Sequence, residues 1–233
     1  MTHTTSAAFM NTPPRIALMV PINNTTMAKE LVDWLPKGTD CQTLKIPRGQ
    51  GMLTRETIPS YKAQALSLAQ TLLGQPIQAL AYGCTAASFL SGAQGDAALC
   101  AELSQQINKP VVTTARSMVL ALHAQGAQRI GLVTPYHDEV NDQLKRFLAD
   151  SGIDVLAFDS LRAPNVEALG RITSDEVADL ARRVMTDACD AMFIACSQLP
   201  TFDILHSLSS EFGRPVLSSI QATAQQLRTT LHL

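Results

Sequence analysis

The chain has 233 residues, 46% of them hydrophobic and 16% charged, which is enough for a sizeable core built as one large domain or two of about 100 to 120 residues. A formal net charge of −2 supplies no global field for nucleic acid or for an anionic membrane surface. No run approaches the roughly eighteen apolar residues of a membrane span, and the opening MTHTTSAAFMNTPPR lacks the basic and apolar regions of a secretory signal.

Residues 1–14 therefore read as a flexible tail, and the expected location is cytoplasmic. Five cysteines (Cys41, Cys84, Cys100, Cys189, Cys196) form an odd set without CxxC spacing, as expected of reduced thiols. The histidines are scattered without metal-ligand spacing, so no metal is expected.

Taken in order, Arg15 to Val20 (RIALMV) predicts a buried parallel strand, followed by a Pro21-Ile22-Asn23-Asn24 turn. Thr25 or Thr26 caps a helix running to about Leu35, and Cys41 to Ile46 is a second strand. The Gly- and Arg-containing loop Pro47 to Pro59 is long enough to act as a lid. An amphipathic helix over Ser60–Leu73 leads to a strand over Ile77–Tyr82. That strand ends in Gly83-Cys84-Thr85, and a small-residue helical segment follows. Helices over Asp96–Asn108 and Ala115–Gln125 flank a strand over Pro110–Thr113.

The pattern then begins again. Arg129 to Thr134 (RIGLVT) echoes RIALMV, with Pro135 in the place of Pro21. Tyr136-His137-Asp138-Glu139 opens a helix to about Asp150, acidic in its first turn as the helix dipole favours. Ile153 to Phe158 is a strand. Thr173-Ser174-Asp175-Glu176 has the form of a capping box for a helix to about Cys189. The apolar run Ala191 to Ala195 ends in Cys196, and Pro200 suits an early position in a helix closed by Gly213. Pro215 to Ser218 and Gln221 to Leu231 complete the chain as strand and helix.

Strand–helix alternation points to an α/β fold with parallel sheets. The repeat sharpens this into two similar Rossmann-like βαβ halves related by a pseudo-two-fold axis, because 63 positions separate Pro21 from Cys84 and 61 separate Pro135 from Cys196. The expected division is residues 15–115 with 218–233 as one half and 116–217 as the other. Ligands of open α/β sheets bind beyond the carboxyl ends of the strands, which puts both cysteines at one cleft between the halves.

A free cysteine is more often packing than chemistry, since it is among the most buried residue types. A helix N-terminus contributes roughly 0.3 to 1 kcal/mol, against ~1.4 kcal/mol per pKa unit, so the dipole alone barely activates a thiol. Several N–H donors are needed, and the turns at Gly83-Cys84-Thr85-Ala86 and Cys196-Ser197-Gln198 offer them, together with the Thr85 and Ser197 hydroxyls. Two thiols on opposite faces of a planar carbon suit racemisation or cis–trans isomerisation, and a single thiol suits decarboxylation. None of these requires a cofactor, and no dinucleotide fingerprint or P-loop is present in the sequence.

At these residues the sequence resembles the aspartate/glutamate racemase superfamily, in particular the branch of maleate cis–trans isomerases and arylmalonate decarboxylases. The blocks are VPINNTTM (20–27), YGCT (82–85), TPYHDEVN (134–141), NVEALGRI (165–172), ACSQLPTFD (195–203) and SSIQAT (218–223), in family order along nearly the whole chain. The resemblance implies Cys84 and Cys196 as catalytic residues, with Asn24, Thr85, Ala86, Tyr136, Asn165, Ser197 and Gln198 binding substrate. Without it, Asn24 reads as a turn or cap residue and Tyr136 as a satisfied, half-buried tyrosine. The resemblance also sorts the branch: the decarboxylases have a glycine at the first-cysteine position, whereas here it is Cys84, as in isomerases and racemases.

The expected function is cofactor-independent maleate-to-fumarate isomerisation through a succinyl-cysteine-like intermediate. The alternatives are two-cysteine racemisation of an acidic amino acid, decarboxylation, or carboxylate binding without catalysis. The expected partner is a small dicarboxylate, without nucleic acid or membrane, in a homo-oligomer. Arg15, Arg116 and Arg171 are available to attract a dianion, and Cys41, Cys100 and Cys189 match no motif.

Overall fold

The computed structural model describes residues 13–48, 51 and 53–233. Its first half contains β1 (Arg15–Pro21), α1 (Met27–Asp33), β2 (Asp40–Ile46), α2 (Ile58–Ala69), β3 (Ala79–Tyr82), α3 (Thr85–Leu90), α4 (Gly92–Ile107), β4 (Val111–Thr113) and α5 (Thr114–Ala124). The second contains β5 (Arg129–Thr134), α6 (Asp138–Ala149), β6 (Asp154–Ser160), α7 (Val166–Arg171), α8 (Ser174–Val184), β7 (Ala191–Ile194), α9 (Leu205–Phe212), β8 (Val216–Ser218) and α10 (Ser219–Leu231). All strand pairs are parallel, in the orders β2-β1-β3-β4 and β6-β5-β7-β8. The matching orders are the three-dimensional form of the repeat.

Side-chain alternation explains how each sheet is sandwiched. Successive residues of a strand point to opposite faces. In β1, Ile16, Leu18 and Val20 join Met27 and Leu31 of α1 and Ile220, Ala224 and Leu227 of α10 in one cluster. Ala17 and Met19 belong to the other face, in the main core with Tyr61, Ala65 and Ala69 of α2. Because both faces are covered, the strands read as unbroken apolar runs. The last helix thus returns to the first sheet, and it also packs along α5.

Several boundaries depart from expectation. Pro200 lies outside any helix. A turn closes over Cys196–Leu199, Glu30 holds Thr201, and α9 starts only at Leu205. The helix capped by Thr173 stops at Val184, where Met185 turns extended. Residues 166–171 form the short α7, a helix not expected from the sequence. In the expected lid, Gly49, Gln50 and Met52 lie outside the described residues. Among the described residues no helix is long and apolar enough to cross a membrane.

Candidate active site

Both cysteines follow the central strands' carboxyl ends and line one cavity of about 60 Å³. Its walls come from three places: the β1–α1 turn (Pro21, Asn23, Asn24), the β2–α2 loop (Arg48, Leu53) and the two cysteine turns, with Tyr136, Val140, Val166 and Leu169 closing the far side.

Cys84 is the N-cap of α3. Gly83 continues the ladder through its N–H to the Met19 carbonyl (2.7 Å) and has to be glycine. A Cβ there would stand 2.5 Å from Met27 Sδ and 2.9 Å from both Leu18 Cδ1 and Val20 Cγ1. The strand end is therefore pressed against the β1–α1 turn, which fixes where the thiol emerges. Thr85 and Ala86 begin α3, where amides have no carbonyl one turn earlier to donate to.

Cys196 sits in a turn, with no helix immediately after it. The Leu199 N–H donates to its carbonyl (3.2 Å), and the Gln198 N–H points at its sulfur (3.4 Å). Ser197 Oγ donates across the halves to the Gly83 carbonyl (2.7 Å), tying one cysteine turn to the other. The Gln198 side chain accepts from Thr25 N (2.9 Å) and donates to Thr25 Oγ1 (2.9 Å). The Ser197 and Gln198 side chains are thus fasteners between the halves, leaving the backbone of this turn to face the thiol.

Asn24 lines the cavity, but its carboxamide is occupied. Oδ1 accepts from the Thr26 and Met27 amides at 3.2 and 3.0 Å, and Nδ2 donates to the Ser197 carbonyl at 3.0 Å. Asn165 stands outside the lining. It is exposed and caps α7, its Oδ1 accepting from Ala168 N at 2.8 Å. Tyr136 is buried among the predicted residues. Its backbone carbonyl accepts from Asn141 Nδ2 (2.8 Å) and Ser160 Oγ (2.6 Å), and its ring meets Phe89 edge-on at 5.7 Å.

Burial dominates the electrostatics. It pushes the Cys84 thiol up to about 11, opposed by the Ala87 N–H and the Tyr61 hydroxyl, reinforced by Cys196, and opposed again by Arg48. Burial also raises Cys196, against the Gln198 N–H, the Tyr136 hydroxyl, the Leu199 N–H and Arg48. Each thiol therefore has its own buried tyrosine, and ionisation of one thiol hinders ionisation of the other. The hydroxyls of Tyr61, Tyr136 and Thr85 make no hydrogen bond of good geometry. A buried polar atom left this way costs about 1–3 kcal/mol, so the cluster is built to meet a polar ligand or a thiolate.

Two of these residues escaped the sequence reading. Tyr61 looks like any aromatic on the buried stripe of α2, and no local signal marks it. Arg48 is the charged side chain that lines the cavity, where Arg15, Arg116 and Arg171 had been the expected cations. Arg15 pairs instead with Asp40 and Arg171 with Glu167, both at the surface, while Arg116 lies in a different groove beside Cys100.

The family model for arylmalonate decarboxylase matches residues 20–233. Arylmalonate decarboxylase of Bordetella bronchiseptica is 30% identical over 176 residues, covering 75% of this chain and 73% of that protein. Maleate isomerase of Geobacillus stearothermophilus is 26% identical over 231 residues, covering 94% and 92%. The fold is that of a solved Nocardia farcinica maleate cis-trans isomerase variant carrying a covalently bound succinylcysteine intermediate. The TM-score is 0.87 at 23% identity, over 95% of this chain and 94% of that one. The family model and the 30% identical relative show that the chain belongs to the arylmalonate decarboxylase family, whose relatives are enzymes of both decarboxylase and maleate isomerase type.

Proposed function

We propose that the protein isomerises a small cis-dicarboxylate, most simply maleate to fumarate. The observation carrying this reading is that two buried thiols, one from each half, line a single small cavity with separate hydrogen-bond donors. In the proposed cycle the Cys84 thiolate adds to one alkene carbon, forming a C–S bond while the π electrons move into the adjoining carboxylate as an enediolate. Cys196 gives its proton to the neighbouring carbon, producing a succinyl thioether. The C2–C3 bond, now single, rotates. Cys196 then takes the proton back, the C–S bond breaks, and the trans alkene leaves with the Cys84 thiolate restored. Donors at the Thr85 and Ala86 amides and the Tyr136 hydroxyl, aimed where the enediolate charge develops, lower the barrier.

Mutual repulsion of the thiolates fits the assignment: once Cys84 ionises beside the substrate, ionisation of Cys196 is disfavoured and its proton is kept for transfer. The cavity, of about 60 Å³, holds roughly four to six waters and so has room for a small organic acid. The covalent succinylcysteine of the Nocardia enzyme is the intermediate expected of this chemistry. Racemisation of an acidic amino acid is disfavoured by the lining, which offers no carboxylate for an α-ammonium among the described residues.

The test is to incubate the protein with maleate and follow fumarate by proton NMR. Fumarate should accumulate without added cofactor. Absence of fumarate, with deuterium wash-in at Cα of aspartate or glutamate or with carbon dioxide release from phenylmalonate, would replace this reading with racemisation or decarboxylation.

A further inference from the structure

We propose that Arg48 is the specificity-determining residue that receives the substrate's second carboxylate, on the loop side of the cavity; this rests on the carboxylate-binding reading above. Among the fifteen lining residues Arg48 carries the one charged side chain. The donors clustered around the cysteine turns are neutral amides and hydroxyls. They suit the carboxylate that becomes an enediolate, but give no reason to demand a second anion.

Arg48 supplies that reason. Its guanidinium donates to the Gly51 carbonyl, and no carboxylate lies within ion-pair distance of it among the described residues. The segments outside the described residues, 1–12 with Gly49, Gln50 and Met52, contain no aspartate or glutamate, so the sequence leaves them no acidic side chain to neutralise it. A guanidinium is a rigid fork of donors matched to a carboxylate, and a half-buried one facing a cavity recruits an anion from solution. The placement also explains why the charge reaches both thiols, as the opposition to their burial shows.

The competing role is that Arg48 only activates the thiols. Alkylation separates the two, because it needs no turnover and continues to report if maleate proves not to be the substrate. In each reaction a thiolate displaces iodide, forming a C–S bond and breaking C–I. Iodoacetate carries a carboxylate and iodoacetamide does not, so thiol activation changes both rates together while carboxylate recognition changes their ratio. The rates would be read by mass spectrometry on the Cys84 and Cys196 peptides at fixed pH, in the full-length protein and in Arg48→Met, Arg48→Gln and Arg48→Lys.

The iodoacetate-to-iodoacetamide ratio should fall about tenfold in Arg48→Met and Arg48→Gln and be largely kept in Arg48→Lys. Malonate should protect both thiols in the native protein and lose that protection with the positive charge. A ratio unchanged between the native protein and both neutral variants would overturn the proposal, whether or not the absolute rates fall. So would equal protection by malonate throughout. Absence of maleate turnover in the native protein, with the iodoacetate-to-iodoacetamide ratio falling in the neutral variants as expected, would count against the isomerase reading alone.

Discussion

The Cys84 and Cys196 turns end equivalent strands of two equivalent sheets, yet they hold their thiols by different means. Cys84 caps a helix behind a glycine that admits no side chain, and Tyr61 approaches it from the neighbouring helix. Cys196 lies in a non-helical turn whose own N–H groups, at Gln198 and Leu199, point back at it, with Tyr136 as its tyrosine. The repeat thus preserves placement while the local chemistry diverges. Equivalent position at a strand end makes a two-sided site possible, and unequal surroundings suit the proposed split between a nucleophilic thiol and a proton-carrying one.

The largest expected effect breaks that comparison outright. Cys84→Ala should reduce maleate turnover by about 10³-fold or more, as loss of a covalent nucleophile does, whereas Cys196→Ala should cost about 10²–10⁴-fold through loss of proton transfer. Steady-state fumarate formation measures both; full activity in either variant would remove the paired-thiol cycle. Next is Tyr61→Phe, which should raise the pH midpoint of Cys84 alkylation by about one unit and slow turnover near neutrality about tenfold, leaving the Cys196 midpoint nearly unmoved. Equal shifts at both thiols would mean the tyrosines are not paired one to each.

Smaller effects sharpen the link between the halves. Ser197→Ala removes the 2.7 Å bond to the Gly83 carbonyl and the 3.3 Å contact from Asn24 Nδ2, leaving the Asn24 bond to the backbone carbonyl of residue 197, and should destabilise the protein by about 1–3 kcal/mol in denaturant unfolding. The smallest concerns pH. Burial puts the folded Cys84 thiol at about 11, above its ordinary value of 9.0, so between those pH values the unfolded chain holds fewer protons than the folded one. Stability from this group is therefore full below about pH 9 and falls as pH rises towards 11. Cys84→Ala should make that part of a melting-temperature profile shallower, with the remainder of the slope carried by Cys41, also pushed up to about 11 by burial.

Much of this was legible in the sequence because parallel strands covered on both faces must be apolar runs, and RIALMV and RIGLVT announce their equivalence directly. The two cysteines were legible for the same reason, each ending such a run. The side chains around them were less so. Asn24 is a recognisable turn residue, but the sequence cannot say that Ser197, 173 positions away, takes its amide. Asn165 carries a family motif while its geometry is that of a cap. Pro200 has the chemistry of an early helix residue, yet the tie from Thr201 to Glu30 holds that stretch in turns. Tyr61 comes beside Cys84 and Arg48 to the cavity only through long-range packing, and a single residue in a helix stripe or a glycine-containing loop bears no local mark of it.

The division of labour between the thiols is tested most directly by trapping. Cys196→Ser protein exposed to maleate, quenched and digested, should carry one succinyl group on the Cys84 peptide in mass spectrometry, while Cys84→Ser should carry none on Cys196. A succinyl group on Cys196 in the second variant, with Cys84 unmodified in the first, would reverse the assigned roles and contradict the account.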